Sequence, residues 1–205
     1  MDTNLNSTVQ KILDEAKIEF LENGYQNASL RKIVKQAGLT TGAFYGYFKN
    51  KEQLFDALVS TEYNELIKIF NDVLVNFFNY SPEQQMQNMM SITYDCMLEI
   101  KDYIYEHHDA MKLILCCSEG TKYKDFIHCL STLETKATDD FAKTVEIVNG
   151  EVYKINPVLE HILISSMFTG FFELIIHDVP KEDADEYISQ LLTFYSAGWG
   201  KIMGY

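Results

Sequence analysis

The stretch SLRKIVKQAGLTTGAFYGYFKNK, Ser29 to Lys51, decides how the rest of this 205-residue chain is read. Ser29 is of the type that caps a helix, and Leu30, Ile33, Val34 and Ala37 follow at helical spacing until Gly38 ends the run. Thr40 is placed to cap a second short helix, predicted over about 41 to 47. Gly38-Leu39-Thr40 supplies the glycine-containing three-residue turn that joins two crossing helices. The same stretch holds five basic side chains, Arg31, Lys32, Lys35, Lys49 and Lys51, and no acidic one; Arg31 is the protein's single arginine. A helix-turn-helix carrying positive charge suits DNA, because one helix fits the major groove while cationic side chains neutralise phosphates.

Outward from this stretch the chain reads as all-α, with about nine helices. On the N-terminal side, Ser7 with Gln10 predicts a capped start, Ile12, Leu13, Ala16, Phe20 and Leu21 an apolar stripe, and Asn23-Gly24 a stop. On the C-terminal side, Lys51 opens a long helix whose inward positions are Leu54, Phe55, Leu58, Tyr63, Leu66, Ile67, Phe70 and Leu74. Ser81-Pro82-Glu83-Gln84 is a capping box opening a helix to about Tyr105. A short apolar segment, Ala110 to Cys117, precedes a helix predicted over 122–148 and broken at Asn149-Gly150. Asn156-Pro157 and Pro180 start the last two helices, the final one marked by Ile188, Leu191, Leu192, Tyr195, Trp199 and Ile202. The organisation expected is a helix-turn-helix domain over 1–50 and a larger helical domain over 51–205.

A net charge of −13 would ordinarily argue against nucleic acid, but its distribution reverses that inference. Residues 1–60 hold seven basic and seven acidic side chains, whereas 61–205 hold ten and 23, so the negative excess lies wholly in the later part. With 47 % hydrophobic residues, 13 Phe and 13 Tyr, the chain can bury a substantial core. No basic leader precedes an apolar run, and the most apolar segment, Ile162 to Ile176, contains Glu173 and is shorter than the roughly 20 residues of a spanning helix. The expectation is a cytoplasmic protein with no membrane partner, and Cys96, Cys116, Cys117 and Cys129 are expected to stay reduced.

Ala37-Gly38-Leu39-Thr40, Gly42, Tyr45-Gly46-Tyr47-Phe48, and Lys51 followed by Leu54-Phe55 resemble the TetR/AcrR family of bacterial transcriptional regulators. The resemblance is strong over about residues 9 to 58 and architectural beyond. It implies DNA contacts from Thr40, Thr41, Gly42, Tyr45, Tyr47 and Lys51, and a phosphate contact near Ser29. The chemistry agrees. Thr40 and Thr41 offer hydroxyls, Gly42 lets the backbone approach closely, and the Tyr45 and Tyr47 hydroxyls can reach phosphates. Lys51 combines an ammonium with helix-terminal amides, while Phe44 and Phe48 are of the kind that pack inward. Gly46 departs from the family, which has a larger side chain there, and position 43 is Ala. Base readout then rests on Thr41, the Gly42 backbone and an Ala43 contact with a thymine methyl, with Arg31 and DNA shape supplying the remainder.

The resemblance further implies a homodimer on a pseudo-palindromic operator in double-stranded DNA, and a body that binds a small-molecule effector of unknown identity. No cofactor is implied, and the protein is read as a ligand-responsive repressor rather than an enzyme. Pocket candidates are Tyr63, Phe70, Met90, Tyr94, Met97, Met111, Phe126, Phe168 and Phe172, since methionine and aromatic side chains suit an apolar cavity; ordinary core packing is the simpler account of each taken singly. Interface candidates are Phe171, Ile175, Leu192, Tyr195 and Trp199, the last beside the small residues Ala197, Gly198 and Gly200; burial inside one subunit is the alternative. His107-His108-Asp109, Cys116-Cys117 and His128-Cys129 offer ligand types without metal-site spacing, because neighbouring side chains on a helix diverge by about 100°. Glu173 and His177, four apart, read as a structural or interface pair. A helical-bundle carrier or enzyme whose head does not bind DNA is the competing reading.

Overall fold

The computed structural model describes residues 2–150 and 155–203, and among these the regular elements are nine α-helices. They are α1 (Asp2–Asn27), α2 (Leu30–Gln36), α3 (Thr41–Phe44), α4 (Lys51–Phe78), α5 (Pro82–Glu106), α6 (His108–Cys116), α7 (Phe126–Asn149), α8 (Pro157–Ile176) and α9 (Lys181–Met203). Two compact units result, one of Met1–Glu65 with His107–Lys124, the other of Leu66–Glu106 with Asp125–Tyr205. Their limits differ from a 50/51 division: α4 contributes to both, and residues 107–124 join the N-terminal unit.

Most helix ends follow local chemistry. The capping box at Ser81 is reciprocal: the Gln84 amide donates to Ser81 Oγ at 3.3 Å and the Ser81 amide to Gln84 Oε1 at 3.0 Å. Asn156 Oδ1 accepts from the amides of Val158 and Leu159, and Gly150 closes α7 in the left-handed region. Three predicted boundaries move here. Helix α1 begins at Asp2, so Ser7 lies inside it rather than capping it. At Asn23-Gly24 the helix kinks rather than stops, because Gly24 adopts φ 69°, ψ 164°, a region open essentially to glycine, and a further turn follows to Asn27. Helix α7 starts at Phe126, four residues late, because 118–125 fold as turns around the buried Thr121 and Tyr123. Helix α8 starts at Pro157 as its Asn-Pro signal predicts, and its 20 residues are long enough by themselves to cross a bilayer. Phe168, Phe171, Phe172, Leu174 and Ile175 are nonetheless buried where α8 packs on α7 and α9, so α8 is a core helix.

In the N-terminal unit, Ile12, Ala16, Phe20, Ile33, Phe44, Leu54 and Phe55 are fully buried, each such side chain larger than Ala contributing roughly 1.5–3 kcal/mol. The Phe20 ring meets Phe55 edge-on at 5.1 Å and stacks on Tyr25 at 6.0 Å. Residues 107–124 buttress this core. The Tyr25 amide donates to the Cys117 carbonyl at 2.8 Å, Lys17 pairs with Asp109 at 2.7 Å, and Asp56 receives both the Tyr123 hydroxyl and, at 2.6 Å, the Lys122 ammonium.

The second unit packs the end of α4 with α5, α7, α8 and α9. Thr144 donates to Gln85 between α7 and α5, Lys101 of α5 pairs with Asp185 of α9 at 2.6 Å, and Tyr105 donates to the Val179 carbonyl. Helices α8 and α9 approach closely at Gly170, where an added Cβ would lie 3.3 Å from Leu191 and the Tyr187 hydroxyl reaches the Gly170 carbonyl at 2.6 Å. All four cysteines are free thiols.

Candidate nucleic-acid interface

The helix-turn-helix is assembled from short-range hydrogen bonds. Ser29 Oγ accepts from the Lys32 amide, starting α2, and Thr40 Oγ1 accepts from the Ala43 amide at 3.2 Å, starting α3. Gly38, at φ 73°, makes the turn between them. Helix α3 proper ends at Phe44, short of the predicted Tyr47. Gly46 and Tyr47 instead donate to carbonyls three residues back, a tighter winding that carries the chain toward Phe48. Phe44 and Phe48 point into the core at 0 and 7 % exposure, their rings stacked 5.9 Å apart. These anchors turn Arg31, Thr40, Thr41, Gly42, Ala43 and Tyr45 to solvent, with Tyr47 half-buried behind them. Open space surrounds Gly42, whereas a Cβ on Gly46 would lie 3.2 Å from the Ala43 carbonyl oxygen, within the tight turn.

Tertiary structure sorts the five basic residues. Glu19, a buried residue of α1, accepts the Ser29 amide at 2.9 Å through one oxygen and holds the Lys32 ammonium at 2.6 Å through the other, with Glu22 at 3.4 Å from the same ammonium. Burial pushes the Glu19 carboxyl upward, but Lys32 and the Ser29 amide outweigh it and hold the group below its ordinary value. Lys51 Nζ donates to the carbonyls of Tyr25, Gln26 and Ala28 at 2.6, 3.1 and 3.2 Å and lies over the Tyr25 ring. Loss of water lowers its pKa. The ammonium therefore caps the last carbonyls of α1, where the helix dipole is negative. Arg31, Lys35 and Lys49 are exposed and have no acidic partner among the described residues.

The sequence profile of the bacterial regulatory proteins of the tetR family matches residues 12–58, the segment just described. The helix-turn-helix segment is therefore of the TetR type. Over 54 residues it is 48 % identical to the Transposon Tn10 TetC protein of Escherichia coli, a match covering 26 % of this chain and 27 % of that protein. With the HTH-type transcriptional repressor AcnR of Corynebacterium diphtheriae it shares 31 % over 84 residues, 37 % of this chain and 44 % of the relative. The matches thus span less than half the length of either relative. A solved member of the TetR transcriptional regulator family from Streptomyces coelicolor has the same fold: TM-score 0.57 at 16 % identity, covering 90 % of this chain and 88 % of that one.

Outside the TetR-type head, the second unit holds a cavity of about 150 Å³. Of the pocket candidates it gathers Phe70, Met90 and Met97. Phe168 meets Phe70 edge-on, Phe126 and Phe172 pack on one another, and Tyr94 stands off the lining. Tyr63 and Met111 belong to the N-terminal unit, where Tyr63 meets Tyr123 at 5.1 Å and Met111 is fully buried. Of the interface candidates, Leu192, Tyr195 and Trp199 line the cavity, and Phe171 and Ile175 are covered within the chain. A helical stripe shows which residues are apolar, but not which neighbour covers them. Glu134, Thr93, Thr138 and Ser196 also line the cavity and were not singled out by any pattern, since an isolated polar residue on an amphipathic helix reads as solvated.

Proposed function

We propose that this chain, with its TetR-type head, is a DNA-binding transcriptional regulator of that family, a repressor that leaves its operator when a small molecule occupies the second unit. The observation that carries it is the exposed set Arg31, Thr40, Thr41, Gly42, Ala43 and Tyr45, displayed by a helix-turn-helix whose Phe44 and Phe48 are locked into the core. Ser29 and Thr40 use their side-chain oxygens as caps, and their hydroxyl protons stay available to phosphate oxygens. Tyr45 and Tyr47 add hydroxyls, while Arg31, Lys35 and Lys49 supply charge. Lys51 acts chiefly by holding α1 to the start of α4.

A twofold dimer would present two heads to a pseudo-palindromic site. Its support is an exposed apolar face on the last two helices: Val158, Leu159 and Ile162 on α8, Phe194 and Ile202 on α9. On the same two helices Ser166, Thr169, Ala197 and Gly198 are exposed and small enough for close helix packing. The chain crosses between the units within α4 and at each end of residues 107–124, so a ligand favouring one state of the second unit biases the head, typically by about 1–3 kcal/mol.

The test is fluorescence anisotropy of purified protein with labelled DNA from upstream of its own gene and with random DNA, at moderate salt. A preference for the upstream DNA of a hundredfold or more is expected. Equal affinity for both would overturn the reading.

A further inference from the structure

The wall of the cavity in the second unit is aromatic and sulfur-rich, with Phe70, Phe77, Phe141, Tyr195, Trp199 and Met97 among its lining. Into this wall α7 places one carboxylate, Glu134, half-buried and with no hydrogen bond or ion pair to any described residue. No lysine, arginine or histidine lines the cavity among the described residues. Resting on the reading of this unit as the effector-binding body, we infer that the cavity takes a small lipophilic ammonium ion, its apolar part among the rings and its charge against Glu134.

Three physical points exclude the other ligand classes. An anion would enter beside Glu134 with no cation to offset it. A neutral apolar molecule would bury the carboxylate and leave it unpaired, whereas a cation supplies the missing partner, and the π-faces of Trp199, Tyr195 and the phenylalanines attract the same charge. Size sets the rest: apolar cavities of about 150 Å³ accept a benzene-sized body, so a one-ring amine fits and a long acyl chain does not. Loss of water pushes the empty-site Glu134 up to about 7, and a bound ammonium draws it back to the ionised form, releasing its proton to solvent. The other titratable groups on the wall are Cys96 of α5, whose thiol burial and the charges of Glu134 and Glu99 push up to about 12, and Tyr195 of α9. The lining segments of α4 and α8 bring none.

Trp199 is the protein's single tryptophan and lies on the cavity wall, so its fluorescence reports occupancy without DNA. Quenching of the full-length chain is titrated at pH 8 with 2-phenylethylammonium, with 2-phenylethanol as its neutral counterpart and with phenylacetate. The ammonium ion is expected to bind at least tenfold tighter than the alcohol, with phenylacetate weakest. Glu134→Gln should collapse the ammonium-to-alcohol ratio toward one. In the unaltered protein, lowering the pH from 8 to 6 should weaken ammonium binding by about tenfold, with the alcohol unaffected, as the carboxylate takes up its proton. Alcohol binding as tightly as the ammonium, a preference that survives Glu134→Gln, or no saturable quenching by any probe overturns the inference. The DNA arm separates the two readings: operator preference without ammonium selectivity sinks only this one, and ammonium selectivity without operator preference sinks only the DNA-binding one.

Discussion

Within the N-terminal unit, a buried carboxylate does the sorting among positive charges. Glu19 is 2 % exposed and joins the first residue of the helix-turn-helix, through the Ser29 amide, to one of its lysines. Replacing it by Gln keeps the shape and removes the charge, leaving Lys32 without its main partner. A loss of about 1–3 kcal/mol in chemical denaturation is expected. Because the folded-state pKa is depressed, this stabilisation is present above the unfolded carboxyl's value and is lost as pH falls through the folded one. The difference between Glu19→Gln and the unaltered protein should therefore narrow in acid; an equal gap at pH 7 and pH 3 would refute the assignment. Arg31 and Lys51 make a contrasting pair. Arg31→Ala should leave the Tm unchanged, weaken DNA binding and lower the slope of log K against log salt by about 0.9. Lys51→Met leaves three carbonyls without their donor, so it should lower stability by about 1–3 kcal/mol and leave the slope nearly unchanged. A normal Tm with a reduced slope would instead put the Lys51 ammonium on a phosphate.

Among the elements, α8 and α9 illustrate how one apolar pattern serves two purposes. Phe171, Phe172 and Ile175 of α8 turn inward, whereas Val158, Leu159 and Ile162 of the same helix stay open to solvent. On α9, Leu192 faces the core and Phe194, two residues on, is 74 % exposed. A large ring so placed among Ala197, Gly198 and Thr193 is the strongest single candidate for contact with a second copy. Phe194→Glu should convert a dimer to a monomer in sedimentation velocity, with the helical circular dichroism preserved, because the residue takes no part in the chain's own core. A mass unchanged by the substitution would move the interface elsewhere. Residues 107–124 are the element least foreseen. Their apolar run predicts a helix, but nothing local announces that Cys117 would receive the Tyr25 amide or Tyr123 donate to Asp56.

At the scale of the molecule, the charge asymmetry along the chain becomes a division between a helix-turn-helix whose Arg31, Lys35 and Lys49 have no acidic partner among the described residues and an acidic body whose cavity carries one carboxylate. That carboxylate carries a stability cost. Glu134 has a folded-state pKa of about 7 against 4.5 unfolded, so the folded chain binds more protons between those values and stability falls as pH rises through that window. Glu134→Gln should be more stable than the unaltered protein by about 1–3 kcal/mol at pH 8, with the gap closing near pH 4.5. Equal stability at both pH values would place Glu134 in open water. Composition, helical spacing and capping residues sufficed for the all-α class, for most helix starts and for the exposed face of the helix-turn-helix, because those features arise from contacts within three or four residues. Tertiary structure alone decided that Lys32 and Lys51 are engaged inside the head, that Leu192, Tyr195 and Trp199 line a cavity, and that Glu134 stands among their rings. Each of those depends on which side chain of a distant helix comes opposite. A one-dimensional pattern holds the period of a helix face, not the identity of what covers it.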